Sequence, residues 1–134
     1  MAKLTSIEGV SETAAGKLAK AQVGSLATLL ARGATVVGRR ELSKASGITE
    51  KRLLEWVNRA DLMRINGVGS EYSDLLEASG VDTVPELGKR KPANLLEAMT
   101  TVNKRKKRVR QLPTEAKVTD WVAQAKRLPR VVKH

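Results

Sequence analysis

The chain contains no cysteine, and its one histidine, His134, stands at the last position. Disulfides, thiolate metal sites, a zinc constellation and any histidine-centred catalytic set are thereby excluded. Carboxylates are scattered along helix faces without a nucleophile-base pair or a metal cluster. The sequence therefore offers no catalytic residues, no metal site and no cofactor, and a non-enzymatic protein is expected. Aromatic residues are almost as scarce: only Trp56, Tyr72 and Trp121 occur. So few rings do not make a stacking platform for single-stranded bases. Apolar runs never reach the length of a membrane span, and the opening MAKLTSIEGV lacks the apolar stretch of a signal peptide; a cytoplasmic protein that does not bind membranes is expected. No stretch alternates with period two, which argues against strands.

What the chain has in excess is positive charge. Lysine and arginine number 25 against 14 acidic residues, giving a net charge of +11 and a pI near 10.4. Such a surface favours anionic partners, nucleic acid before any other. At 134 residues the chain suits one globular domain over 1–134.

The stretch LMRINGVGSEYSDLL, residues 62–76, organises the rest. An apolar turn with Leu62 and Ile65 leads into Gly67-Val68-Gly69, and a second helix follows with Ser73 and Leu76 facing the first. Glycines suit a tight turn, Val68 can plug the helix pair, and Ser73 lets the backbones approach. The spacing resembles the helix-hairpin-helix modules of DNA repair and recombination proteins, whose hairpin amides hold a phosphate.

The pattern recurs. Residues 4–30 align without gaps on 62–88 with 7 identities in 27, among them Gly9 with Gly67 and Val10 with Val68. TEKRLLEWVNRA, 49–60, aligns on TEAKVTDWVAQA, 114–125, pairing Trp56 with Trp121. The offset grows from 58 to 65 between these blocks, so the second copy carries 7 additional residues in or near KRKKRVR. The fold is therefore expected to be all-α: two pseudo-symmetric helix-hairpin-helix repeats packed as one compact helical domain. Repeat 1 spans about 1–65 and repeat 2 about 60–128, sharing a continuous rod over 50–65, with 129–134 as a frayed tail. Ser25, Thr49 and Thr114 mark helix starts, and Gly47 a helix end. Thr83 with Glu86 has capping-box spacing. Pro92 opens a helix that is expected to run on to Arg110.

Charge selects the candidate binding residues. Lys104, Arg105, Lys106, Lys107, Arg108 and Arg110 supply six cations in seven residues, and Lys89, Arg90 and Lys91 precede the same helix. At about 100° per residue such a run cannot share one face, and seven extra residues lengthen a helix by roughly 10 Å. A protruding basic spike is the expectation. Hairpin one, Gly9-Val10-Ser11, could offer amides to a phosphate, with Glu8 and Glu12 offset by Lys17 and Lys20. Hairpin two, Gly67-Val68-Gly69, either packs helices or binds phosphate; packing is favoured, because residues 66–88 carry Glu71, Asp74, Glu77, Asp82 and Glu86 with no cation. The lesser basic pairs, Arg39 with Arg40 and Lys51 with Arg52, read as surface, and the tryptophans as packing.

The segments IEGV, GRRELSKASGI, LLEWVNRADLMRINGVGSEYSDLLEASGVDTVPEL and VTDWVAQAKRLP together resemble the family of domain of unknown function 4332. The resemblance covers nearly the whole chain and implies a tandem helix-hairpin-helix fold; it implies no activity, and DNA binding comes with it only by analogy of fold. The residues favour sequence-tolerant binding of nucleic acid, duplex DNA above all, through its phosphates. The alternative is a protein-protein interaction or self-associating module that uses separate acidic and basic surfaces.

Overall fold

Hydroxyl side chains set where most helices begin. The computed structural model describes residues 3–7 and 9–134. After a single 3-10 turn at Leu4–Ser6 come α1 (Glu12–Lys20), α2 (Leu26–Gly33), α3 (Val36–Ser46), α4 (Glu50–Leu62), α5 (Ser70–Ala78), α6 (Val84–Gly88), α7 (Pro92–Arg105) and α8 (Glu115–Arg127). Ser11, Ser25, Thr35, Thr49 and Thr114 each accept a hydrogen bond from the amide three residues on, at 3.0–3.2 Å. Each cap pairs an amide that the first turn leaves open and contributes about 1 kcal/mol. Thr83 departs from the expected capping box: its side chain is buried and makes no cap hydrogen bond. Among the described residues there is no strand, so the all-α expectation holds. None of their helices is long and apolar enough to cross a membrane.

The chain divides into two compact units. One runs to Asp61 and takes in Val131–His134; the other is Leu62–Arg130. The division falls in the last turn of α4, which ends at Leu62 and not at residue 65 as the apolar spacing suggested. The helix stops because the chain must turn to bury Ile65 and Val68, 1% and 5% exposed, through Gly67 at φ 97°.

In unit 1, Leu18, Leu29, Leu42, Leu53 and Val57 are fully buried. Arg39 is no surface residue here. It is 5% exposed, and its guanidinium donates to Gly33 O at 2.7 Å and Lys133 O at 2.8 Å. Burial lowers its pKa from the ordinary arginine value, with the nearby Glu50 charge opposing that shift. The residues expected to fray are tied down by the same contact. Lys133 N donates to Ala34 O at 2.7 Å, Val132 is 1% exposed, and His134 Nε2 lies 3.3 Å from Asn58 Oδ1. The sequence signal for a tail was Pro129, but Val132 gives the following residues an apolar side chain to bury.

In unit 2, α6 and α7 both pack on α8, and α5 packs on α7. Leu62, Leu75, Leu76, Leu87 and Leu95 are fully buried around Trp121. The turns of the two units use the same hydrogen bonds. In unit 1, Ile7 N donates to Leu4 O, Val10 N to Ile7 O and Val23 N to Leu18 O, at 2.8–3.1 Å. In unit 2, Ile65 N donates to Leu62 O, Val68 N to Ile65 O and Val81 N to Leu76 O, at 2.9–3.1 Å. Gln22 and Gly80 close α1 and α5 with φ of 68° and 94°.

Replacing Arg39 by Leu removes the donor to the buried Gly33 carbonyl, so unfolding in urea should show a loss of about 1–3 kcal/mol. An unchanged midpoint would show that the guanidinium does not hold α2, α3 and the terminal residues together.

Candidate nucleic-acid interface

The basic run begins on α7 and leaves it early. Lys106 is extended (φ −145°, ψ 112°), so the helix ends at Arg105 and does not reach Arg110. Asn103 replaces the missing turn: its Oδ1 accepts from Arg108 N at 2.7 Å and Val109 N at 3.1 Å, while its Nδ2 donates to Val109 O at 3.3 Å. Val109 is then 2% exposed, within the core of unit 2. Arg108 turns inward as well. Its Nη1 lies 3.1 and 3.0 Å from the two carboxylate oxygens of Asp74, a residue of α5 that is 8% exposed. Tyr72 Oη donates to Gln111 O at 3.1 Å, and Pro113 is buried.

Most of the basic run therefore lies in a loop and not in a helix. Residues 47–49 join α3 to α4, whereas 106–114 join α7 to α8. A helical spike would have held Val109 in water and stacked like charges three and four residues apart, each pair costing a few tenths of a kcal/mol. Folding back buries the valine and gives Asp74 a cation.

Lys104, Arg105, Lys106, Lys107 and Arg110 remain exposed. Among the described residues none of these five is paired with a carboxylate. Lys89 and Lys91 are also exposed, and Arg90 is half-buried with its guanidinium near Gly80. These three stand at the other end of α7. Fourteen residues at 1.5 Å each separate the groups by roughly 20 Å, so the nine cations do not form one patch.

Each hairpin packs a glycine on a tryptophan. At Gly9, φ 92°, a side chain would begin 3.6 Å from Trp56 Nε1; at Gly67, φ 97°, it would begin 3.0 Å from Trp121 Nε1. Val10 and Val68 are 6% and 5% exposed, and the two tryptophans are 3% and 2% exposed. Rings so enclosed pack the core and are closed to base stacking. Ser11 Oγ is taken by Ala14 N, and Gly69 has no side chain with which to cap α5. Beside hairpin one lies a cleft of about 270 Å³ lined by Ser11, Lys17, Thr49 and Arg52 among others. Glu8, expected to weigh against Lys17 and Lys20, lies outside the described residues. Hairpin two borders a cleft of about 340 Å³ lined by both Lys117 and Asp120.

Sequence reasoning missed three participants. Asn103 looked like an ordinary polar helix residue, and nothing local marks it as an acceptor for amides five and six positions on. Asp74 was counted as part of an acidic surface, although burial on α5 reserves it for Arg108. Lys126, in the last turn of α8, carries no local signal that would place it beside Gly88.

The chain belongs to the family described as Domain of unknown function (DUF4332), whose profile matches residues 8–128. No curated protein and no solved structure matches it.

Removing the acceptor at Asn103 tests the loop directly. Asn103→Ala leaves two amides without their partner, so stability should fall by about 1–3 kcal/mol, and amide exchange at Arg108 and Val109 should accelerate. Exchange as slow as in the wild type would mean that the fold-back does not depend on this side chain.

Proposed function

We propose that this protein holds nucleic acid by its phosphates, without reading base sequence and without catalysing a reaction, and that duplex DNA is the ligand class. One observation carries the reading: five exposed cations stand together at the end of α7, Lys104 and Arg105 in its last turn and Lys106, Lys107 and Arg110 on the following loop, which is anchored by Asn103, Val109 and Arg108. An anchored loop presents its charge without a large ordering cost on binding, and phosphates are the partner that such charge attracts irrespective of sequence. The enclosed tryptophans favour duplex over single strands, because they offer no face to unstacked bases.

The same reading takes the two units as copies of one helix-hairpin-helix module. Its support is the shared turn hydrogen bonds, the left-handed glycines at Gly9 and Gly67, and the tryptophan against each. In hairpin one, the neighbouring Lys17 and Arg52 favour an additional phosphate contact. Hairpin two keeps Glu71 exposed at the start of α5 and is assigned to packing. The alternative, an interaction module with a strong acidic face, loses ground because Asp74 is engaged by Arg108 within its own unit.

Affinity for a DNA duplex, measured against salt, should give a slope of log affinity on log salt at least as steep as about −4, for four to five neutralised phosphates. Replacing Lys104, Arg105, Lys106 and Lys107 by Ala should flatten it by about 3. Binding without salt dependence, or an unchanged slope in that variant, would reject the assignment.

A further inference from the structure

We infer that unit 2 carries a second phosphate-contacting cluster, Lys89, Lys91 and Lys126, and that one duplex is held at both ends of α7. This rests on the nucleic-acid reading above and adds the kind of ligand it requires: a double helix long enough to span the helix. The cluster is assembled by the fold. Lys89 and Lys91 flank the start of α7, and α8 comes back to the same place, with Lys126 N and Cγ each 3.5 Å from where a side chain on Gly88 would begin. All three lysines are exposed, and among the described residues none is paired with a carboxylate.

One residue of each cluster shares a face of α7. Lys91 and Arg105 are 14 residues apart, nearly four whole turns at 3.6 residues each, so they fall within about 40° around the axis. Between them the exposed stripe continues through Asn94 and Thr101, with Glu97 as its acid. A near-neutral strip roughly 20 Å long thus ends in cations on both sides. At 3.4 Å per step along a strand that distance equals about six base pairs. The rise of a double helix keeps phosphates at such a fixed separation, whereas two independent anion sites would need no common ligand.

The test is a salt titration with a duplex of about 16 base pairs, comparing the wild type, Lys89→Ala/Lys91→Ala/Lys126→Ala, and the fourfold loop variant. All three replaced lysines are exposed, and circular dichroism checks that the fold is retained. The triple variant should bind with a slope shallower by about 2 to 3, and sedimentation of wild type in excess duplex should show one duplex per chain. An unchanged slope in the triple variant, with the loop variant still flattened, overturns the second cluster and leaves the loop reading standing. Two duplexes per chain overturns the shared-ligand geometry. A wild type that binds without salt dependence removes the underlying reading itself.

Discussion

A single side-chain amide decides what the basic segment is. By taking the Arg108 and Val109 amides, Asn103 ends α7, starts the return of the chain and lets Val109 enter the core of unit 2. Burying a valine is worth on the order of 1.5 kcal/mol, several times the few tenths that a favourable helical pair could supply. Repulsion between like charges opposes the helical alternative further. The Arg108-Asp74 pair then fixes the loop from its other side, in surroundings where a lone buried carboxylate would be costly. With both anchors in place, five cations face solvent because the chain has used its apolar residue and one arginine to hold them there.

The hairpins follow a different constraint. A left-handed backbone disfavours a side chain at both glycines, and at Gly67 the Trp121 indole also crowds the space that one would need. That geometry serves packing first, since the valine of each hairpin and both tryptophans are enclosed. The amides that remain at the helix starts could meet an anion only where neighbouring charge permits, and the two hairpins differ there: Lys17 and Arg52 beside one, Glu71 beside the other. Similar backbone turns therefore need not have similar chemistry.

Much of this was legible in the residues. The hydroxyl caps, the left-handed glycines, the absence of strands among the described residues and the enclosed tryptophans all follow from local rules that act within a few positions. What escaped depends on partners far along the chain. Arg39 becomes a clamp only because Lys133 returns to it 94 residues later, and Arg108 turns inward only because Asp74, 34 residues earlier, awaits it in a buried place. The basic run reads as helix in the sequence, since a run of cations hides the one valine that governs its path. Lys126 reaches Gly88 through helix packing that no periodicity encodes.

Backbone amide NMR during titration with duplex DNA tests the central claim most directly. The account predicts shifts at residues 104–110, whether or not the lysines at the other end of α7 shift as well, with the exposed acidic positions Glu71 and Asp82 unmoved. Shifts confined to the acidic surface, or none at the basic loop, would contradict it.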